Sequence, residues 1–294
     1  MNIIQILKKN RPNLSEGSLK TYNSVIKNLL KKLNTYDIDI FYKEPAKVFN
    51  ILENYEYSKR KTMTAAVIVL IQNQASESVL NKYKKLLLED VNKYREFKET
   101  QEKTEKEKEN WISMQEINNI YEDLEKEANI LFKKNNLNMQ EVQRLQNFII
   151  LSFYHLIPPR RLLDFSEMKI KDYKEDDDNY IKGDKLIFNK YKTKKNYGTQ
   201  TVDMPKNLYN IYRKWLNFND TNFLFFDRNN NKLSKVTLNQ RLNKIFNKNI
   251  SVNMLRHIYI SEKVLKDTPA LQDLKKTAEK MGHSVNEQVL YKKI

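Results

Sequence analysis

Residues 99–110 (ETQEKTEKEKEN) contain no hydrophobic side chain, so this stretch can bury nothing and must run through water as a charged helix or a flexible linker. Such a segment divides the 294-residue chain into parts that must each close a core of their own. The boundaries expected from it are a helical domain over 1–98, the charged linker over 99–110 and a second domain over 111–294. Hydrophobic residues make up 40 % of the chain, the share of a folded protein rather than a disordered one. The longest uniformly apolar run, Ala65–Ile71, is far too short to cross a bilayer. Met1–Asn10 has no extended apolar stretch ahead of a small-residue cleavage site, so an intracellular location is expected, in prokaryotic cytoplasm or in the nucleus or virus factory of a eukaryotic host.

Charge follows the same division. Residues 1–100 hold 18 basic and 11 acidic side chains, residues 101–130 hold 4 and 9, and residues 131–294 hold 31 and 17. Two basic blocks therefore flank an acidic stretch, and the whole chain carries a net charge of +16. That balance points to a polyanionic partner, nucleic acid first and an acidic membrane surface second, and two basic domains on a linker can clamp a duplex from both sides. Cysteine is absent, which excludes disulfides, thiolate metal sites and cysteine nucleophiles. His155, His257 and His283 do not stand at metal-ligand spacing, so no metal is expected. Four glycines in the whole chain leave no glycine-rich phosphate loop, and no small-molecule cofactor is expected.

Hydrophobic periodicity predicts a mainly α protein with a small β-hairpin or sheet. Leu19, Tyr22, Val25, Ile26, Leu29, Leu30 and Leu33 recur at three- and four-residue steps, with further helices expected over 62–74 and 78–94. The second domain should be mixed α/β. Ser113 and Glu116 make a capping-box pattern, and an apolar helix over 142–157 must stop at Pro158-Pro159. Strands over 185–189 and 199–204 flank a lysine-rich loop containing Gly198, and 223–226 reads as a short strand. Helices follow over 208–216, 238–246, 254–265 and 271–281. Tyr209, Tyr212 and Trp215 stand at helical spacing and read as core rather than as a base-stacking platform. The acid run Asp176–Asp178 reads as an exposed turn.

A basic protein without metal ligands can still do chemistry on nucleic acid with arginines, a lysine and a side-chain nucleophile. Two guanidinium forks can hold the non-bridging oxygens of a phosphate as charge develops on them. A lysine or histidine can protonate a leaving 5′-oxygen, and a phenol can attack phosphorus.

Four segments, in order across residues 111–294, resemble the tyrosine recombinases of the phage-integrase type. Arg161-Leu162-Leu163-Asp164-Phe165-Ser166-Glu167-Met168-Lys169 resembles that family's Arg-x-x-Glu-Leu-x-x-Leu-Lys box, with Asp164 in place of Glu. Tyr191-Lys192-Thr193-Lys194 lies where the family carries its catalytic lysine; Lys192 matches best and Lys194 is the alternative. Asn253-Met254-Leu255-Arg256-His257 is similar to the His-x-Leu-Arg-His box, and Met281-Gly282-His283-Ser284 to the Leu-Gly-His-Ser box, with Tyr291 following.

The resemblance implies a two-domain architecture, a helical core-binding domain plus a mixed α/β catalytic domain. It implies a site-specific recombinase or integrase, of a mobile element or virus, that cleaves and rejoins duplex DNA through a 3′-phosphotyrosyl intermediate. Tyr291 would be the nucleophile, Arg161 and Arg256 would hold the phosphate with His283 assisting, and Lys192 would be the general acid. A tetramer on DNA would form at synapsis, with no cofactor and no membrane involved. Two departures stand out. Asn253 replaces the box's first histidine, and can donate a hydrogen bond but not shuttle a proton. Three residues follow Tyr291, so a docking tail is expected to be missing or very short.

From the residues alone, Arg256 lies on an apolar helix and needs an anionic partner, either phosphate or Asp164. His257 reads as a hydrogen-bonded support, and His283 can equally cap the helix before it. A type IB topoisomerase or telomere resolvase uses a similar constellation. A non-catalytic DNA-binding protein derived from an integrase would keep the clamp without the cleavage, and a basic RNA-binding protein would bind RNA and duplex DNA alike.

Overall fold

The computed structural model describes residues 2–282 and 284–291. By its contacts the chain falls into two compact units, Met1–Glu102 with Pro269–Ile294, and Lys103–Thr268. The second unit ends at Thr268, whereas the sequence boundary runs to residue 294.

The first unit is all helical: α1 (Ile3–Asn10), α2 (Glu16–Lys32), α3 (Ile40–Lys43), α4 (Pro45–Leu52), α5 (Tyr57–Ile71) and α6 (Glu77–Thr100). The periodic stripe of α2 buries Leu19, Ile26, Leu29 and Leu30, and the Ser15 side chain caps its first turn. The run Ala65–Ile71 is apolar because α5 is the central helix, with α1, α2, α3, α4 and α6 all packed against it. Tyr83 of α6 is fully buried, donates its hydroxyl to the Phe41 carbonyl at 2.8 Å and stacks on Phe49. Helix α6 passes the expected end at residue 94 and stops at Gln101, which adopts a left-handed φ of 58°. The C-terminal helices α15 (Leu271–Lys280) and α16 (Val285–Tyr291) belong to this unit. Helix α15 lies on the end of α6, with Lys275 Nζ 2.7 Å from Glu99 Oε2 and the Leu271 N–H donating to Gln101 Oε1 at 2.7 Å.

Half of the expected linker is ordered on the second unit. Helix α7 (Glu105–Asn110) starts with a Thr104–Glu107 capping box, and Asn110 Oδ1 accepts from the Asn249 N–H at 2.9 Å. Helices α8 (Met114–Leu131) and α9 (Met139–His155) pack together, α8 opening with the Ser113–Glu116 box expected from sequence. Next come α10 (Leu162–Ser166), β1 (Tyr180–Lys182), β2 (Lys185–Phe188), α11 (Lys194–Tyr197), β3 (Gln200–Asp203), α12 (Lys206–Trp215), α13 (Lys235–Phe246) and α14 (Val252–Tyr259). A π turn, Ile260–Val264, continues α14.

The expected hairpin forms, and one more strand joins it. The sheet order is β1-β2-β3, antiparallel throughout, with Tyr180 opposite Ile187 and Leu186 opposite Val202. The strand expected over 223–226 does not form. Phe223 and Phe226 make only single bridges, to Lys169 and Lys232, because no neighbouring strand continues beside them. Trp215 and Tyr212 are core residues as expected; Trp215 is fully buried and its indole donates to the Leu224 carbonyl at 3.0 Å. Phe165, one residue after Asp164, meets Phe153, Tyr154 and Phe188 edge-on, which fixes α10 to the core.

The acid run is a turn, but Asp178 is buried within it rather than exposed. It forms ion pairs with Lys169 (2.9 Å) and Lys190 (3.1 Å) and accepts the Lys174 N–H. Among the described residues no helix is long and apolar enough to cross a membrane.

Candidate phosphate-binding cleft

Helix α9 cannot pass Pro158-Pro159, where two missing N–H groups and two rings end it. The chain leaves without regular secondary structure through Arg160, is extended at Arg161 and turns back into α10. This break, the β2–β3 connection and α14 enclose a cleft of about 320 Å³ in the second unit, lined by Arg160, Arg161, Arg256, Asp164, Tyr191, Thr193 and Gln200 among others.

The three arginines are held differently. Arg160 is fixed: Nε donates to Asp164 Oδ2 (2.9 Å), a terminal nitrogen donates to Gln200 Oε1 (2.9 Å), and the guanidinium lies 3.8 Å from the Phe188 ring centre. The Arg161 side chain makes no hydrogen bond or ion pair among the described residues. Arg256 reaches only a neutral acceptor, the Pro159 carbonyl, at 3.3 Å. Burial lowers the pKa of Arg256 and the charge of Arg161 lowers it further, against the pull of Asp164.

Asp164 is 2 % exposed. Burial raises its carboxyl pKa, and the guanidinium groups of Arg160, Arg161 and Arg256 oppose that rise. Its Oδ1 has no hydrogen-bond partner. Of the two partners open to Arg256 on sequence grounds, Asp164 acts on it only through space, since the carboxylate's hydrogen bond comes from Arg160. Three cations against one carboxylate leave the cleft positive and able to take a tetrahedral oxyanion on guanidinium N–H groups.

The other candidates stand apart from this cleft or outside the described residues. Lys192 is exposed in the β2–β3 connection, and neither it nor Lys194 lines the cleft; that connection contributes Tyr191 and Thr193 instead. Asn253 is exposed one turn before Arg256 on α14 and is not a lining residue. His257 is half exposed and its Nδ1 is 3.0 Å from Glu107 Oε1, a support that ties α14 to α7. Burial pushes the Glu107 carboxyl up, but the Thr104 and His257 hydrogen bonds outweigh it and bring it below the ordinary carboxylate range. His283 lies outside the described residues. Tyr291 ends α16, with the first unit, and its side chain lies outside the described part of the structure.

The structure thus brings Arg161 and Arg256 together and adds Arg160 and Gln200, which sequence reasoning missed. The spacing of Arg160 and Asp164 (i, i+4) at a helix start was the available signal for the first of these. It also reveals Asn179, buried at 1 % exposure. Its Nδ2 donates to the Asp164 carbonyl (3.0 Å) and the Lys190 carbonyl (2.8 Å), and its Oδ1 accepts from the N–H groups of Asn189 (2.8 Å) and Lys190 (2.6 Å). One side chain therefore ties the arginine-bearing turn to the loop that supplies Tyr191 and Thr193. Among the described residues no group of three or more His, Cys, Asp or Glu side chains is placed to hold a metal ion.

No family model matches the sequence, and no curated protein matches it. A solved structure similar to it is a crystal structure of XerA recombinase, at 13 % identity and a TM-score of 0.38, covering 99 % of this chain and 93 % of that one.

Proposed function

We propose that this protein is a DNA strand-cleaving and rejoining enzyme of the tyrosine-recombinase kind. The observation that carries the reading is the meeting of Arg161 and Arg256 in one positive cleft, two guanidinium groups from distant segments with no carboxylate hydrogen-bonded to either. A scissile phosphate would be held there, with Arg160 and Gln200 as the rigid wall.

In the proposed step the Tyr291 phenol oxygen attacks phosphorus and gives up its proton to water. The bond from phosphorus to the 5′-oxygen breaks, and that oxygen leaves with a proton supplied by Lys192 or Lys194. The 3′-phosphotyrosyl bond conserves the energy, and attack by a 5′-hydroxyl reverses the step. Duplex DNA is the partner, bound by both basic blocks, and strand exchange would use a tetramer at synapsis. Asn253 would donate a hydrogen bond to a non-bridging oxygen, and His283 would assist.

A second reading is favoured by the position of Lys192 outside the cleft: a DNA-binding protein that keeps the phosphate cleft without cleaving. One experiment separates the two. Nicked duplexes tiled from the DNA flanking the gene are incubated with wild type and Tyr291→Phe, denatured in SDS and scored for covalent adducts, with a gel shift for binding. Cleavage predicts an adduct in wild type that is lost in Tyr291→Phe with DNA affinity retained. Binding by both without an adduct in either supports the second reading.

A further inference from the structure

The second unit has a larger groove that shares no lining residue with the arginine cleft. It measures about 880 Å³ and lies between the first half of α9, the turn at Asp227–Asn229 and α13. Its cations are Arg228, Arg241, Lys244 and Arg144, of which Arg144 is paired with Glu127 at 2.9 Å. Arg228 and Lys244 are exposed and have no ion pair among the described residues.

Arg241 is recessed and carries the argument. Its guanidinium reaches only neutral acceptors, Asn147 Oδ1 at 3.2 Å and the Gln143 carbonyl at 3.4 Å. Burial lowers its pKa and the charge of Arg228 lowers it further; Asp227 alone opposes this. Asp227 is already engaged, since its Oδ1 accepts from the N–H groups of Asn229 (2.8 Å) and Asn231 (3.0 Å) to hold the turn. A partly desolvated guanidinium without a hydrogen-bonded anion costs free energy, which an anionic ligand would offset.

The rest of the wall is rich in amides. Gln240 is exposed with no side-chain hydrogen bond, and Asn243 keeps its Oδ1 out of solvent with no donor. Carboxamides match the donor–acceptor edge of a base, adenine above all. The volume is that of a small-ligand site. A duplex backbone is convex and meets protruding cations, whereas a recessed Arg241 suits a small ligand that can enter. The construction uses side-chain cations, so it needs no glycine-rich loop.

We propose that this groove binds a free nucleotide, its phosphates on Arg228, Arg241 and Lys244 and its base edge on the amides of Asn147 and Gln240. The site is independent of the strand-cleavage reading. Isothermal titration with ATP, inorganic tripolyphosphate and a short duplex tests it on the full chain. ATP is expected to bind more tightly than tripolyphosphate. The double variant Arg228→Ala/Lys244→Ala, at two exposed positions, should weaken ATP by about tenfold or more, the loss of charge-assisted phosphate contacts. Arg241→Gln should weaken it further, and thermal melting of the double variant verifies its fold. Absence of ATP binding at millimolar concentration, or tripolyphosphate binding as tightly as ATP, overturns the proposal. So does a double variant that binds ATP like wild type. Displacement of ATP by duplex DNA, with the double variant losing DNA affinity by the same factor, would assign the groove to the DNA track and overturn it too.

Discussion

Each unit buries an aspartate against an arginine, and the two pairs are built differently. In the first, Asp90 is fully buried and takes three hydrogen bonds from Arg60, at 2.7, 2.9 and 3.2 Å, spread over both of its oxygens. That hydrogen bonding raises the Arg60 pKa, so the cation is stabilised where it stands. In the second, Asp164 receives one hydrogen bond on one oxygen, and Arg160 also serves Gln200 and an aromatic ring. Two further guanidinium groups face the same carboxylate, and Arg256 has its pKa lowered. A pair that only holds a fold is saturated, like the first. The second leaves positive charge over, as a cleft that takes an anion requires.

The largest effect that would test this contrast is on stability. Arg60→Ala leaves a buried carboxylate unpaired and should cost about 3–5 kcal/mol, read as a lowered urea midpoint with unchanged slope. A loss under about 1 kcal/mol would break the comparison, because the saturated pair would then hold nothing.

Arg161→Ala should behave in the opposite way. Its guanidinium contacts no acceptor among the described residues, so unfolding should shift by less than about 0.5 kcal/mol. On the proposed cleavage reading, adduct formation should fall by about 10²–10³-fold, the typical loss of one donor to a developing oxyanion. If the variant melts early while keeping adduct yield, Arg161 is part of the scaffold and not of the phosphate site.

Asn179→Ala sharpens the contrast between holding and binding, since Asn179 holds the binding elements. Losing four hydrogen bonds to backbone, two of them buried, should cost about 1–3 kcal/mol. Adduct yield per folded molecule should also fall, because the Tyr191–Thr193 loop loses its tie to the arginine turn. Unchanged yield at lowered stability would make Asn179 purely structural.

The parts of this arrangement differed in how plainly the sequence carried them. The stripe Leu19 to Leu33, the stop at Pro158-Pro159 and the 185–204 hairpin depend on local pattern, and all three formed. Strand β1 was hidden because its three residues follow an acid run and pair only through the bridge of Tyr180 to Lys169 and the ladder with β2. The 223–226 segment failed in reverse: it looks like a strand, but Leu224, Phe225 and Phe226 are core residues without a neighbouring ladder. In the cleft, Arg161 and Arg256 were singled out by the resemblance and line one pocket, whereas Gln200 and Asn179 act through tertiary hydrogen bonds that no spacing announces. The polar groove was illegible for the same reason, its walls coming from 143–147, 227–229 and 237–244 with no shared motif.

The smallest effect separates two buried aspartates by the sign of their pH dependence. Burial pushes the Asp178 carboxyl up, but the Lys174 N–H and the Lys169 and Lys190 ammonium groups outweigh it and bring its pKa down to about 2. Its folded pKa lies below the unfolded value of 3.8, so its contribution is present above about pH 4 and lost as pH falls toward 2. Asp164 has the opposite sign: its folded pKa is raised, so it costs stability as pH rises above the unfolded value, and acid relieves that cost. Asp178→Asn should therefore remove about 1–2 kcal/mol at neutral pH and flatten the acid limb of the stability curve. Asp164→Asn should make that limb steeper, because the opposing contribution is gone. Urea unfolding of the three proteins between about pH 2 and pH 5 measures both slopes. Parallel curves for the two variants would mean that Asp164 is as well paired as Asp178, and the surplus of positive charge assigned to the cleft would not exist.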